Sequence, residues 1–440
     1  MTTDTASKSR IRVRPTKGLY GKVRVPGDKS ISHRALIFGA LASGQTEVRG
    51  FLPAGDTLAT LGCMRALGVK VDQHDETTLT VHGVGLDGLE QPSEALDCIN
   101  AGTGLRLLTG VMAGQRFPSI LDGSEQLRKR PMGRITNPLR LMGANIEDEE
   151  GHAPLHIGGA FLHGITYEMP VASAQVKSCL FLAGLFADSP TTVIEPGPAR
   201  DHTERMLKAM GVRFETEGNR ITIHPPASLK PLNLTVPGDI SSAAFLLVAG
   251  ALDAVVDVEI VGVGVNTTRT GILDALLMMG AAVRPENSRD EGGEPVADLT
   301  VEQKPLKGIN IKGDLVVRMI DEFPVLMVAA TQAKGKTTVS EAKELRVKET
   351  DRIAVMAGEL RKMGAVVDER EDGFMVNGPQ ALKGAVVDGH DDHRVAMSLV
   401  VAGMHATGET IVEDARCVND SFPGFVETLQ ALNANVEWVD

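Results

Sequence analysis

Six near-copies of one pattern run along the chain. They are Leu61-Gly-Cys-Met-Arg-Ala-Leu-Gly-Val-Lys-Val71, Asn137-Pro-Leu-Arg-Leu-Met-Gly-Ala-Asn-Ile146, Arg205-Met-Leu-Lys-Ala-Met-Gly-Val-Arg-Phe214, Leu273-Asp-Ala-Leu-Leu-Met-Met-Gly-Ala-Ala-Val283, Glu359-Leu-Arg-Lys-Met-Gly-Ala-Val-Val367 and Leu429-Gln-Ala-Leu-Asn-Ala-Asn-Val-Glu437. Each reads as a helix with apolar residues three and four apart. Each is predicted to stop at Gly68, Gly143, Gly211, Gly280, Gly364 or Asn433, residue types that tolerate a left-handed helix end. Each then enters a β-rich stretch. Before each lies an apolar helix, a small-residue break and a short strand. The chain is therefore six repeats of about 70 residues, an architectural period rather than a short motif array.

A second repetition groups the six into two sets of three. Val25-Pro-Gly-Asp-Lys-Ser-Ile-Ser-His-Arg opens a stretch ending Gly39-Ala-Leu41, and Val236-Pro-Gly-Asp-Ile-Ser-Ser-Ala-Ala-Phe opens one ending Gly250-Ala-Leu252. Pro26-Gly27 marks a turn, and Asp28, Ser30 or Ser32 can cap the helix that follows. The second copy has Ile240, Ala244 and Phe245 where the first has Lys29, His33 and Arg34. The frame does not need those charges, so they are available to bind an anion at a helix start. Two α/β (α+β) domains of three repeats each follow: residues 26–236, and residues 11–25 with 237–440. The chain is expected to cross between them near Val25 and Val236.

At 440 residues, 42% apolar and 23% charged, the chain is long enough for two or three globular cores. A formal charge of −12 argues against a general nucleic-acid or anionic-membrane surface. Anions must be held by local clusters of Lys and Arg. Cys63, Cys98, Cys179 and Cys417 lack metal spacing and read as buried thiols of a reducing compartment. With no secretory pattern and no apolar run of about 18 residues, the cytoplasm is the expected location.

The repeat places polar residues at equivalent points. Lys29 and Ser30 start the inner helix of repeat one. Asn100, Gly102, Thr103 and Arg106 start the second, Ser173 and Gln175 the third. Asp239 and Ser241 serve the fourth, Asp321 and Glu322 the fifth, Asp391, His393 and Arg394 the sixth. If the inner helices run parallel, their starts converge on one face of each domain, and the two faces enclose a cleft.

Each cluster has a plainer alternative. Arg128-Lys-Arg-Pro-Met-Gly-Arg134 reads as a solvated charge run, or as a turn in which Pro131 orients Arg130. Arg346-Val-Lys-Glu-Thr-Asp-Arg352 reads as surface ion pairs, or as an anion site between Lys348 and Arg352. Asp388-Gly-His-Asp-Asp-His-Arg394 lacks further ligands at zinc spacing, so metal is not expected. Ala330-Thr-Gln-Ala-Lys-Gly-Lys-Thr337 imitates a P-loop, but Ala330 stands where the leading Gly belongs. It reads as a helix-to-strand turn.

Taken together, Pro-Gly-Asp-Lys-Ser-Ile-Ser-His-Arg, Asn-Ala-Gly-Thr-Gly-Leu-Arg, Lys-Arg-Pro-Met-Gly-Arg, Ser-Ala-Gln-Val-Lys-Ser, Arg-Val-Lys-Glu-Thr-Asp-Arg and Asp-His-Arg resemble the 5-enolpyruvylshikimate-3-phosphate synthase family over about residues 15–430. The resemblance implies two domains, each a pseudo-threefold set of βαβαββ units around buried parallel helices, an inside-out α/β barrel. It implies transfer of the enolpyruvyl group of phosphoenolpyruvate to the 5-hydroxyl of shikimate-3-phosphate, releasing phosphate, in the shikimate pathway to chorismate and the aromatic amino acids. By resemblance, shikimate-3-phosphate is held by Lys29, Ser30, Arg34, Ser173, Ala174, Gln175, Arg200, Asp321 and Lys348. Phosphoenolpyruvate is held by Lys29, Gly102, Arg130, Gln175, Arg352 and Arg394. Asp321 takes the 5-hydroxyl proton, Glu349 protonates the methylene carbon, and Lys29 or Glu349 assists collapse of a tetrahedral intermediate. No cofactor, metal or macromolecular partner is implied, and a cytoplasmic monomer whose domains close on substrate is expected. The charge logic agrees, since the two substrates bring about five to six negative charges.

Two departures stand out. One branch of the family has Lys before the Ser/Thr-Phe-Pro near the C-terminus, where this chain has Asp420. Leu107 replaces a Pro of that same branch, and Ser-Ala-Gln-Val-Lys-Ser with Arg-Asp-His-Thr-Glu is closer to the glyphosate-tolerant branch. Gly102 stands where some tolerant members carry Ala, so glyphosate is expected to compete with phosphoenolpyruvate. The related UDP-N-acetylglucosamine enolpyruvyl transferases place a Cys near an Arg-Pro pair, and no Cys precedes Arg130-Pro131 here. A non-catalytic phosphometabolite-binding protein is the remaining alternative; it would bind without turnover.

Overall fold

The six helix stops are where the sequence puts them. Gly68, Gly143, Gly211, Gly280, Gly364 and Asn433 all have positive φ, between 69° and 94°. Only Gly adopts that region without strain, and Asn tolerates it better than most. In the computed structural model, which describes residues 9–16 and 18–440, the first five stops turn an outer helix into a β-hairpin, and the sixth leads into strand Val436–Val439, which pairs with Arg10–Val13.

The chain forms two compact domains. One comprises residues 27–237 with Asp290–Glu294; the other comprises the described residues up to Pro26, Gly238–Arg289 and Pro295–Asp440. Each contains three four-stranded sheets and its own apolar core. In the third repeat, for example, Thr166–Glu168 lies parallel to Thr191–Ile194. Arg220–Ile223 and Phe214–Glu217 complete that sheet as an antiparallel hairpin.

Borrowed strands complete three of the sheets. Leu234–Thr235, at the end of repeat three, pairs in parallel with Ser43–Arg49 of repeat one. In the C-terminal domain Leu19–Val23 pairs in parallel with Ala254–Gly264. Arg10–Val13 inserts between Thr410–Glu413 and Val436–Val439, antiparallel to both. Residues before the first inner helix thus supply two different sheets.

The inner helices are apolar on all sides, and all are buried for that reason. Every residue of Ile240–Asp253 except Asp253 is buried, as is all of Lys29–Leu41 except Lys29 and Ser30. Gly110 lets helix Gly102–Ala113 approach the backbone of helix Ala174–Gly184, since a Cβ there would overlap the Cys179 carbonyl. The sheets cover the helices and leave one face to solvent, as the alternating burial of His152–Gly158 shows. The fold class is that expected from the repeat. The false P-loop is a helix-to-strand turn between Phe323–Gln332 and Gly335–Val339. Among the described residues no helix is long and apolar enough to cross a membrane.

Candidate active site

In each domain the inner helices begin at the same end, and side chains from neighbouring starts touch. In the N-terminal domain, Gln175 donates to Thr103 at 2.8 Å and accepts from Arg106 Nη1 at 2.6 Å. That joins the starts of Gly102–Ala113 and Ala174–Gly184. Ser173 caps the latter by accepting from Val176 N. Of the three candidate caps for Lys29–Leu41, Asp28 serves, accepting from Ile31 N at 2.9 Å. The Ser32 hydroxyl instead accepts from Leu52 N.

Lys29 reaches Asp56 of the outer helix Gly55–Ala66 at 2.9 Å, both side chains mostly buried. Ser30 follows Lys29 and Ala174 follows Ser173, each in the first turn of its helix and half-buried. Arg34 is one turn deeper and 2% exposed. It donates to Thr203 Oγ1, Ser178 Oγ and the Ser30 carbonyl at 2.8 to 2.9 Å. Burial pulls its guanidinium down to about 10, against the attraction of Glu204 and Asp28. Arg34 therefore holds the helix starts together as well as supplying charge. Arg200 lies just before helix His202–Ala209, and its charge is felt at Arg34.

The basic run 128–134 divides. Arg128 is exposed and pairs with Asp122, and Lys129 is exposed and pairs with Glu125. Arg130 turns inward. A Cβ added at Gly102 would sit 2.8 Å from Arg130 Nη1, and Arg106 donates to the Pro131 carbonyl at 3.2 Å.

In the C-terminal domain one guanidinium gathers three carboxylates. Arg352, 1% exposed in its side chain, meets Asp392 through Nε at 2.9 Å and Nη2 at 3.2 Å. It donates to Glu349 at 2.6 Å and to Asp321 at 3.4 Å. Burial alone would lower its pKa; Asp392 and then Glu349 outweigh burial and hold it above the usual range. Asp321 Oδ1 also lies 4.0 Å from Lys348 Nζ and 3.9 Å from Arg394 Nε. Lys348, Glu349, Arg352, Asp321 and Arg394 thus form one cluster. The unfavourable position of Arg352 in the first turn of helix Arg352–Lys362 is relieved by protein carboxylates. Arg346, by contrast, makes outward ion pairs with Asp351 and Glu369.

The curated relatives and solved structures point one way. Residues 13–429 match the family described as EPSP synthase (3-phosphoshikimate 1-carboxyvinyltransferase). The chain belongs to the EPSP synthase family. It is 53% identical to the 3-phosphoshikimate 1-carboxyvinyltransferase of Acidithiobacillus ferrooxidans, over 98% of this chain and 99% of that protein. It is 52% identical to that of Citrifermentans bemidjiense, over 96% and 98%. A solved EPSP synthase from Acinetobacter baumannii superposes with a TM-score of 0.88 at 45% identity, covering 98% of this chain and all of that one.

Against this EPSP synthase background, the residues that sequence reasoning missed are mostly partners. The cap of helix His393–Met404 is Asp392, not Asp391, and the same carboxylate holds Arg352. Asp391 is exposed as a residue; partial desolvation of its carboxyl, then the charge of Asp414, raises its pKa. Thr203 and Ser178 were visible only as members of quoted motifs. Glu322 and Ser241 join two further helix starts by a hydrogen bond, and Arg269 donates to Ser241 and Asp239 at 2.9 Å each. Asp420 ends a 3-10 turn, Arg416–Asp420, so a carboxylate stands where one branch has Lys. All four Cys are buried, and burial raises Cys179 and Cys417 well above the ordinary thiol range.

Proposed function

We propose that this chain catalyses its family's reaction, transfer of the enolpyruvyl group of phosphoenolpyruvate to the 5-hydroxyl of shikimate-3-phosphate, with the two helix-start clusters as its working parts. Lys29, Ser30, Ser173, Ala174, Gln175 and Arg200 hold shikimate-3-phosphate on the N-terminal domain, with Arg34 behind them and Lys348 and Asp321 from the C-terminal domain. Arg352 and Arg394 hold phosphoenolpyruvate, with Lys29, Gly102, Arg130 and Gln175. Charge-assisted contacts of this kind suit phosphate and carboxylate groups.

The observation that carries the reading is that Arg352 holds Asp321 and Glu349, two of its three carboxylate partners, side by side with Lys348 and Arg394. Asp321 Oδ1 lies 4.0 Å from Lys348, 3.4 Å from Arg352 and 3.9 Å from Arg394. There it can orient the 5-hydroxyl and take its proton as the oxygen attacks C2 of the enol. Glu349 sits on Arg352 at 2.6 Å, where a substrate anion would compete with it. A carboxylate that gives up a guanidinium and gains an anionic neighbour takes up a proton more readily. Glu349 can then deliver that proton to C3. The resulting tetrahedral ketal phosphate loses a C3 proton and phosphate to give the enol ether, with Lys29 or Glu349 assisting. A cytoplasmic monomer is the proposed working form; the buried thiols fit a reducing compartment.

Phosphate release from phosphoenolpyruvate tests this. Release is expected with shikimate-3-phosphate and not with UDP-N-acetylglucosamine, and loss in Asp321→Asn and Glu349→Gln. Turnover with the UDP-sugar, or full activity in both variants, would overturn it.

A further inference from the structure

Lys177 is the most deeply buried cation of the N-terminal domain that the scheme above leaves without a role. It lies one residue from Ser178 on helix Ala174–Gly184 and its side chain is 1% exposed. Its ammonium has three acceptors: Glu204 at 2.6 Å, Glu195 at 2.9 Å and the Ala199 carbonyl at 3.4 Å. All three donors of a lysine are thereby used. Burial alone would lower its pKa; Glu204 and then Glu195 outweigh burial and keep it charged.

These acceptors are not scattered. Glu195 directly follows strand Thr191–Ile194, and Glu204 lies in the first turn of helix His202–Ala209. Between them runs Pro196-Gly-Pro-Ala-Arg200-Asp201, with no regular secondary structure. Lys177 therefore grips both ends of that segment and the carbonyl of the residue before Arg200. Thr203, beside Glu204, binds Arg34, and Ser178, beside Lys177, binds the same Arg34. Two buried cations, Lys177 and Arg34, are set against two buried carboxylates, Glu195 and Glu204.

We propose that Lys177 is a positioning residue for shikimate-3-phosphate: through Glu195, Ala199 and Glu204 it fixes the segment that presents Arg200 to the substrate. The proposal rests on the assignment of Arg200 as a ligand of that substrate. The ion triad does not touch substrate and acts through Arg200 alone.

Steady-state kinetics of Lys177→Met, Arg200→Ala and the double variant test it. Lys177→Met is expected to raise the KM for shikimate-3-phosphate about tenfold, with the KM for phosphoenolpyruvate changed less than about twofold. In the Arg200→Ala background the same substitution is expected to add almost nothing, because residues acting as one unit are not additive. Lys177→Arg is expected to recover part of the loss. An equal rise in both backgrounds, or no rise, would overturn the positioning role while leaving Arg200 as a ligand. An unchanged KM in Arg200→Ala alone would remove the assignment of Arg200 and the proposal with it. If Lys177→Met does not fold, Glu195→Gln carries the same comparison, with a rise of about threefold expected in the Arg200 background and none in Arg200→Ala.

Discussion

Gly102 illustrates how one missing methyl group sets the shape of a binding site. A Cβ at that position would stand 2.8 Å from Arg130 Nη1 and 3.4 Å from Arg106 Nη1. Those are flexible tips, so the protein can yield, but only by moving the guanidinium assigned to phosphoenolpyruvate. Gly102→Ala is expected to weaken inhibition by glyphosate at least about tenfold and to raise the KM for phosphoenolpyruvate less, with folding little changed. Inhibition constants for the two proteins check this; equal constants would contradict it. His33 offers a prediction of another kind. It is completely buried, bonded to Thr60 at 2.8 Å, and burial, opposed by Asp56, lowers its pKa to about 3. An unfolded histidine titrates near 6.5, so between pH 6.5 and 3 the unfolded chain binds more protons. Stability should therefore fall with falling pH across that window, by up to about 1.4 kcal/mol per pH unit from this residue. Denaturant unfolding of His33→Gln should show a shallower acid limb than the parent; identical limbs would contradict the prediction.

At the scale of elements, the helix stops were legible because their physics is local. A left-handed residue at the end of an amphipathic run needs Gly or Asn whatever the rest of the fold does. The inner helices were legible because they are apolar all round. Strand exchange was legible only as the membership of residues 11–25 in the C-terminal domain, without the partners. Ile11 pairs with Val412, and nothing near Ile11 names that partner. The cations of the site were legible from their density at helix starts, whereas their partners were not. Whether Asp391 or Asp392 turns toward Arg352 depends on backbone geometry that sequence spacing does not reveal. Basic residues also precede or open the outer helices of several repeats, as Arg130, Arg200, Arg269 and Arg352 do. Arg269 is paired with buried Asp239 and bonds Ser241, so the same position can serve the frame instead of a ligand. The close approach of two inner helices gives the prediction at this scale. Gly110→Ala would press on the Cys179 carbonyl and is expected to cost about 1–3 kcal/mol. It should also separate Gln175 from Arg106, raising KM for both substrates. Unchanged unfolding and kinetics would show that the helices do not need this contact distance.

The molecule as a whole doubles one construction, and the doubling has chemical use. Each domain gathers three helix starts, and each gathers a different balance of charge there. The N-terminal domain carries Lys29, Arg34, Arg106, Arg130 and Arg200 near its starts, and the C-terminal domain surrounds Arg352 with Asp321, Glu349 and Asp392. A chain of net charge −12 can bind two multiply charged anions because the positive charge is concentrated at these points. The proposed scheme makes Lys29 and Lys348 ligands of shikimate-3-phosphate, and calorimetric titration of that substrate tests the scheme most directly. Lys29→Met and Lys348→Met, one substitution in each domain, should each weaken binding about tenfold or more relative to the parent, with the fold retained. Parent affinity in either variant would contradict the scheme, because it would remove that lysine from the ligands of shikimate-3-phosphate.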